Sequence, residues 1–246
     1  MSGPLASSLI TKLAVSNHLD GDDIRAILAL PIRSRSLAVR QAIVREGDRP
    51  HDCCLVAEGY TFRAKTTGDG ERQILSLHIP GEIPDLQSLH LGVMDHDLVT
   101  LTPCTLGFIS HSALKQLNID RPNIAAALWR ETLIDAAIFR EWIVNVGRRG
   151  GVARAAHLLS ELRRRLEAIG RTRNGTFEFP INQLELGDCL GMSTVHVNRI
   201  LQELRREGLI RTERGLFHLL DKPALEERGD FHPRYLHLAP PQKEPA

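Results

Sequence analysis

The chain has 246 residues, of which 42% are apolar and 25% are charged, and its formal net charge is +1. These proportions are ordinary for a folded protein and exclude a wholly disordered chain. No stretch of about 18 apolar residues predicts a transmembrane helix, and the first ten residues lack the basic start of a signal peptide. Four cysteines without a Cys-x-x-Cys pair do not make a disulfide scaffold. We therefore expect a reduced, cytoplasmic protein with no membrane partner.

The charges are unevenly distributed along the chain. Residues 1–147 carry 14 Lys and Arg against 17 Asp and Glu, whereas residues 148–228 carry 15 against 11. An Arg-rich C-terminal part is typical of proteins that bind nucleic acid, although an Arg-rich helix can equally be a solvated surface.

The first 112 residues change pattern at about residue 30. Up to that point the apolar spacing is helical. From residue 32 to residue 112, short apolar runs alternate with glycines, which predicts an antiparallel barrel or sandwich. The clearest hairpin tip is Thr67-Gly-Asp-Gly-Glu71, because glycine accepts the positive φ that such turns need.

Residues 121–147 predict one long helix that begins near Pro122. Its apolar residues fall on one stripe, which could pack on the protein's own β domain or could form a dimer seam; both are compatible with one helix. We expect a homodimer, with Asp135 as a polar residue that sets the register. The expected seam residues are Ile124, Leu128, Asp135, Phe139, Trp142 and Val146.

The stretch 183–202 has the internal pattern of a helix-turn-helix. Gly191 stands at the turn, and Gly187 stands where the two helices cross closely. Asn182 and Glu185 predict a capping box for the first helix, and Ser193 predicts the N-cap of the second. Apolar residues occupy the positions that the inner face requires: Leu186, Leu190, Met192, Val197 and Ile200. Residues 211–220, with Gly215 in a turn, predict a two-stranded wing.

The segment 187–210 (GDCLGMSTVHVNRILQELRREGLI) resembles the DNA-binding domain of the Crp/Fnr family of bacterial transcription regulators. The segments 45–48 (REGD), 55–59 (LVAEG) and 79–83 (IPGEI) resemble the turns of that family's β-roll, and 229–238 (GDFHPRYLHL) resembles an ending found in many members. The resemblance implies an α+β fold with an antiparallel β-roll sensor at 1–120, a dimerisation helix at 121–147, a winged helix-turn-helix at 148–228 and a tail at 229–246. It implies a homodimer that reads a palindromic site on double-stranded DNA, that is not an enzyme, and that contacts RNA polymerase if it activates.

In that family the second helix of the motif enters the major groove, where its outward residues meet the base edges. Arg199 suits guanine, Asn198 or Gln202 suits adenine, and Val195 can pack on a thymine methyl group. An alternative role for Arg199 is a surface salt bridge to Glu203. The expected base-reading residues are Thr194, Val195, Asn198, Arg199 and Gln202, and the expected phosphate contacts are Asn182, Gln183, Ser193 and His196.

A cyclic nucleotide needs a cation beside its phosphate, and the resemblance implies an Arg-Ser pair for this role. Met94 and Asp95 stand at the corresponding positions, after Glu82, so we expect cyclic AMP to be disfavoured and no cofactor or metal to be bound. Two alternatives remain. One is a module that responds to cyclic nucleotides and acts through protein contacts. The other is a sensor of haem or another small ligand, with candidate ligands His78, His90, His96, Cys53 and Cys54. Adjacent strand residues face opposite ways, so at most one of these cysteines could sense redox change, and buried inert cysteine is the default.

Overall fold

The strands of the first half pair in antiparallel fashion, as the spacing of the glycines predicts. The computed structural model describes residues 3–239. Between residues 33 and 110 it has β1 (Arg33–Leu37), β2 (Ala42–Val44), β3 (Asp52–Glu58), β4 (Thr61–Thr66), β5 (Arg72–His78), β6 (Asp97–Thr100) and β7 (Cys104–Ser110). These form two sheets with the strand orders β1-β7-β3 and β2-β6-β4-β5. The predicted β-roll is confirmed, and residues 67–71 form the tip between β4 and β5.

Three helices and a 3-10 segment accompany the strands: α1 (Gly3–Ser16), α2 (Gly21–Leu28), α3 (His111–Asp120) and the 3-10 turn Leu86–Leu89. α2 begins with a capping box, in which Asp20 Oδ1 accepts from the Asp23 backbone at 2.8 Å. The Asp23 side chain is fully buried and pairs with Arg121 at 2.6 Å. This ion pair ties α2 to the start of the long helix. Burial acts to raise the pKa of Asp23, but hydrogen bonds from Asn123 and Arg121 outweigh it, and the pKa is lowered.

The long helix α4 (Pro122–Arg148) spans 27 residues. Its first turns pack into an apolar core with α1, α2 and the outer side of β3. Members of this core include Leu5, Leu9, Leu13, Ile27, Cys53, Leu55, Ile109, Leu114, Ile124 and Leu128. The inner face of this part of α4 is therefore buried within its own chain.

A second apolar core fills the space inside the β-roll. It consists of Leu37, Val44, Cys54, Val56, Met94, Leu98, Cys104 and Leu106. Cys53 and Cys54 lie in the two different cores, as their adjacency in a strand predicts. Both side chains are fully buried, and burial raises the pKa of each thiol far above its usual range. Neither thiol therefore forms the exposed thiolate that redox sensing needs.

The C-terminal part is helical with one small sheet. Its elements are α5 (Gly151–Ala168), β8 (Thr176–Glu178), α6 (Gln183–Leu190), α7 (Thr194–Arg206), β9 (Ile210–Glu213), β10 (Leu216–Leu219), α8 (Lys222–Arg228) and the 3-10 turn Pro233–Leu236. The strand order of the sheet is β8-β10-β9. In this sheet Phe177 stacks on Phe217 with their ring centroids 6.1 Å apart.

Contacts within the chain divide it into two compact units. One holds the described residues up to Lys65, Ser76–Ala136 and the described residues from His237 on; the other holds Thr66–Leu75 and Ala137–Leu236. Across residues 3–239, no helix combines the length and the apolarity that a bilayer crossing requires.

A buried carboxyl group holds the 3-10 turn Leu86–Leu89 against β3. Asp85, just before the turn, is 1% exposed, and its Oδ1 accepts from the Cys54 backbone N–H at 2.7 Å. Its Oδ2 is buried and accepts no hydrogen bond from any residue in 3–239. Burial raises the pKa of Asp85 to about 7, although the hydrogen bond from Cys54 opposes the shift.

We predict that Asp85→Asn stabilises the protein at neutral and alkaline pH. An acid whose pKa rises on folding costs stability as pH increases from its ordinary value, 3.8, towards about 7. Asparagine resembles the protonated acid, keeps the acceptor for Cys54 and does not titrate. The stability advantage of the variant, measured by urea unfolding, should grow by about 3 kcal/mol between pH 5 and pH 8. A constant difference across that range would contradict the prediction.

Candidate nucleic-acid interface

The turn between α6 and α7 is built by its two glycines and by the cap of α6. Asn182 Oδ1 accepts from the Glu185 backbone at 2.8 Å, and Glu185 Oε2 accepts from the Asn182 backbone at 3.1 Å. Gly191 ends α6 with a φ of 62°, which favours glycine. A Cβ on Gly187 would lie 2.5 Å from the Met192 carbonyl oxygen, so a larger residue cannot be accommodated there. These features confirm the predicted helix-turn-helix.

Helix α7 separates into a buried face and an exposed face. Ser193 is its N-cap and accepts from the His196 backbone. The inner face is buried, and it consists of Val197, Ile200, Leu201 and Leu204. On the outer face, Val195 is 80% exposed. Asn198, Arg199 and Gln202 are exposed as well, and Thr194 is half-buried. The five residues expected to read bases therefore lie along the solvent side of one helix, with Thr194 partly covered.

The outer face of α7 has only weak internal contacts. Arg199 Nη2 donates to His196 Nε2 at 3.2 Å, and Gln202 donates to Asn198 at 3.3 Å. The carboxylate of Glu203 pairs with Arg228, on α8, at 3.1 Å. Glu203 therefore pairs with Arg228 rather than with Arg199, which is the alternative that the sequence left open.

The residues expected at phosphates cluster near the starts of the two helices. Asn182 and Gln183 are exposed at the N-terminus of α6, and Ser193 is exposed at the N-terminus of α7. Helix N-termini attract anions through their free N–H groups and the helix dipole. His196 is half-buried beside Arg199.

Several arginines that were not singled out from the sequence extend this cationic surface. Arg205 donates to Thr212 Oγ1 at 2.6 Å and so links α7 to the first strand of the wing. A shallow surface depression is lined by Arg199, Gln202, Arg205 and Arg206. Arg211 and Arg214 are exposed on the wing. The sequence signal for them is the concentration of arginine in the last turn of α7 and at the wing turn.

In the β-roll, the three residues expected at an effector pocket do not converge. Glu82 lies 3.1 Å from His78 Nδ1, whereas Met94 is 2% exposed and lies in the inner apolar core. The side chain of Asp95 is 79% exposed and contacts His96 at 2.7 Å. The observed arrangement differs from the expected pocket. The backbone directs Met94 into the apolar core, Glu82 towards His78 and Asp95 into solvent.

A buried cation enters the β-roll from β4 instead, and sequence reasoning missed it. Arg63 is 4% exposed; its Nε donates to the Pro84 carbonyl at 2.8 Å and its Nη1 pairs with Asp135 on α4 at 2.6 Å. Burial, followed by the charge of Arg63, lowers the pKa of His78 and of His96. Both imidazoles are therefore neutral near pH 7. The sequence signal for Arg63 is an arginine between two apolar residues, Phe62 and Ala64, in a predicted strand.

The residues expected at the dimer seam lie in several different environments. Ile124 and Leu128 belong to the core with α1, and Trp142 is 6% exposed and donates to Glu161. Asp135 pairs with Arg63, while Phe139 and Val146 are half-buried. The most exposed apolar side chains of α4 are Trp129 (63%), Leu133 (51%), Ile143 (72%) and Val144 (44%). The apolar stripe read from the sequence thus corresponds largely to the inner face of α4, because helical periodicity does not distinguish the two apolar faces.

Two of the candidate haem or metal ligands, His78 and His96, have other side-chain partners, and His90 is exposed. His78 contacts Ser76 and Glu82, and His96 contacts Asp95. Within the described part of the chain, no three His, Cys, Asp or Glu side chains come close enough together to hold a metal ion.

Comparison with known proteins matches both halves of the chain. The Crp-like helix-turn-helix domain family matches residues 153–228, and the cyclic nucleotide-binding domain family matches residues 34–119. The two segments together span more than half of the chain.

Two curated relatives are named as regulators. The transcriptional activator protein FnrL of Cereibacter sphaeroides is 28% identical over 205 residues, which is 80% of each chain. The nitrogen fixation regulation protein FixK of Bradyrhizobium diazoefficiens is 25% identical, over 87% of this chain and 88% of its own. Both names describe regulators, and neither describes an enzyme.

Solved structures share the fold. FixK2 from Bradyrhizobium japonicum superposes with a TM-score of 0.72 at 22% identity, covering 80% of this chain and 97% of that one. The c-di-GMP responsive regulator CLP of Xanthomonas campestris gives a TM-score of 0.65 at 22% identity, covering 82% and 100%. With its β-roll and winged helix-turn-helix, the chain belongs to the Crp/Fnr family of DNA-binding transcription regulators.

Proposed function

We propose that this protein is a homodimeric, cytoplasmic transcriptional activator that inserts α7 into the major groove of a palindromic promoter site. The observation that carries the proposal is the outer face of α7, where Val195, Asn198, Arg199 and Gln202 are exposed beside a cationic wing. Bidentate donors and an apolar group at successive turns of one helix suit direct reading of base edges. Thr194 adds a hydroxyl group at the first turn. The names of the curated relatives support activation, which requires contact with RNA polymerase.

Phosphate contacts are assigned to the helix starts and to the wing. Asn182, Gln183, Ser193 and His196 lie where a backbone passing the N-termini of α6 and α7 could be bound. Arg211 and Arg214 extend the cationic surface along the wing. These contacts are independent of sequence and make affinity depend on salt.

The dimer seam is assigned to the exposed apolar face of α4. Trp129, Leu133 and Ile143 are separated by 4 and 10 residues; Ala136 and Arg140 occupy the intervening heptad positions, and Ala126 precedes Trp129 by three. This is a heptad pattern of the kind that pairs two helices. A second copy of the chain is the partner that the same face would cover by two-fold symmetry. Ile124, Leu128 and Trp142 then support the seam from the opposite face of the helix.

We further propose that cyclic AMP is not the effector. Arg63 is the buried cation of the β-roll, and Asp135 already pairs with it. Glu82 lies against His78 and Asp95 lies at the solvent surface, and each carboxylate would repel a phosphate that approached it. The interior next to them is occupied by Met94 and its apolar neighbours.

Arg199→Ala should weaken binding to the cognate palindrome by about 1–3 kcal/mol and flatten the preference at one base pair in each half-site. The reason is that a guanidinium group lost from α7 removes a bidentate base contact but leaves the fold intact. Fluorescence anisotropy with sites selected from random DNA measures both effects, and binding to non-specific DNA should change little.

The matched control is Arg35→Ala, which removes one exposed arginine from β1 of the β-roll and should leave both quantities unchanged. If Arg199→Ala binds the selected palindrome as tightly and as selectively as the unaltered protein, α7 does not read DNA in this way.

Leu133→Asp should convert the dimer to a monomer. Burying a leucine contributes about 1.5–3 kcal/mol, and two carboxylates would face each other across the seam. Sedimentation velocity at micromolar concentration measures the change. Ile119→Asp, at a 73% exposed position on α3, is the control and should remain dimeric. A dimer that persists in Leu133→Asp would refute the assigned seam.

Cyclic AMP should give no measurable heat in titration calorimetry with the purified protein at micromolar concentration. The buried guanidinium of Arg63 is neutralised by Asp135, so this group is not available to the phosphate. Binding with micromolar affinity would contradict this prediction.

A further inference from the structure

A fully buried carboxylate on α5 joins three parts of the second unit. Glu161 has no exposed surface. It accepts a hydrogen bond from Trp142 Nε1 on α4 at 3.1 Å, from Arg165 Nη1 on α5 at 3.1 Å and from the Tyr235 hydroxyl group in the tail at 2.7 Å. A buried charge requires such partners, so each of these groups is held in place by the same carboxylate.

The tail around Tyr235 packs closely on α5. The His157 ring, 1% exposed, stacks on Tyr235 at 6.0 Å, with its Nε2 3.0 Å from the Tyr235 hydroxyl oxygen and its Nδ1 3.1 Å from the Gly229 carbonyl oxygen. Phe231 meets the same imidazole edge-on at 5.2 Å. A Cβ on Gly229 would lie 2.5 Å from the His157 backbone nitrogen, so the tail crosses α5 at the closest distance that glycine allows.

A second set of contacts joins the tail to the end of α4. Arg149, in the short connection between α4 and α5, pairs with Glu141 at 2.6 Å. The same guanidinium group donates to the carbonyl oxygen of Asp230 at 3.2 Å and pairs with its carboxylate at 3.1 Å. The connection itself is short, since α4 ends at Arg148 and α5 begins at Gly151. The angle at this connection is therefore determined by the side chains that bridge it.

We propose that residues 229–236 form a clamp that holds the end of α4 and α5 at one angle, with Glu161 and Tyr235 as positioning residues for DNA binding. The proposal rests on the proposed function, in which α4 pairs the two protomers and α7 reads the half-sites. The angle between α4 and α5 then sets the distance and rotation between the two recognition helices of the dimer. Neither positioning residue touches DNA.

The effect of this angle can be measured through the spacing of the two DNA half-sites. Half-sites lie about one helical turn apart, which is about 34–36 Å for about 10–10.5 base pairs, so one added base pair moves and rotates the second half-site. A stiff clamp should make affinity fall sharply when the spacer changes by one base pair. A loosened clamp should tolerate the change.

The test uses the full-length protein and a series of palindromes that differ only in the spacer. Tyr235→Phe retains the stacked ring and removes the hydroxyl group that Glu161 and His157 share. The ratio of the Kd for a spacer altered by one base pair to the Kd for the optimal spacer should fall by about 3- to 10-fold, the factor that one hydrogen bond contributes. Affinity for the optimal spacer should change much less.

Tyr60→Phe is the matched control, because it makes the same chemical change at a buried tyrosine of the β-roll and should leave the ratio unaltered. A uniform loss of affinity at every spacing, or an unchanged ratio in Tyr235→Phe, would overturn the clamp. A second variant, Glu161→Gln, should lower the ratio in the same direction, and its failure to do so would also count against the proposal.

A readout without DNA separates this proposal from the proposed function. The chain has two tryptophans, Trp142, which is 6% exposed, and Trp129, which is 63% exposed. Trp129 lies on the face assigned to the dimer seam, so its access to acrylamide should be the same in both proteins. The emission of Trp142 should be quenched more readily in Tyr235→Phe than in the unaltered protein. If the protein binds no DNA at any spacing, the proposed function fails, while the quenching comparison still decides whether the tail holds Trp142 in place.

Discussion

The two apolar faces of α4 are the constraint on which the rest of the structure depends. The helix is 27 residues long, which corresponds to about 40 Å. One face is used within the chain, through Ile124 and Leu128 in the core with α1 and through Trp142 at the carboxylate of Glu161. The other face leaves Trp129 and Leu133 exposed. Because one face of α4 is buried within the chain, only the opposite face can contact a partner. The rotation of the helix about its own axis therefore determines which residues meet that partner.

Buried charged groups fix the orientation of α4 within this packing. Apolar contacts tolerate small rotations, whereas a buried ion pair loses most of its energy when its atoms separate, because each charge is then left without a partner. Arg63 pairs with Asp135 in the first unit, and Glu161 accepts from Trp142, Arg165 and Tyr235 in the second. Both arrangements involve α4. The helix is therefore oriented by polar contacts and stabilised by apolar ones.

A buried charge of the β-roll is likewise paired within the chain. In the β-roll the cation and the acid are both supplied by the chain, since Arg63 on β4 is neutralised by Asp135 on α4. The neighbouring imidazoles of His78 and His96 are neutral because burial and Arg63 lower the pKa of each. The buried guanidinium group of Arg63 is thus paired with a carboxylate of the same chain. By contrast, the outer face of α7 carries guanidinium groups that are only loosely engaged, as the contact of Arg199 with His196 illustrates.

The sequence by itself determined the parts of this protein whose rules are local. Asn182, Glu185, Gly187 and Gly191 specify a helix-turn-helix because caps, close crossings and left-handed turns depend on residues only a few positions apart. The hairpin at residues 67–71 and the wing follow for the same reason. Only the tertiary structure decided which face of α4 is buried, that Met94 belongs to a core, that Arg63 meets Asp135 across 72 positions, and that Tyr235 reaches Glu161 across 74. These pairings depend on where distant elements meet. Hydrophobic periodicity predicts that a helix has an apolar face, but it does not predict which element packs on that face.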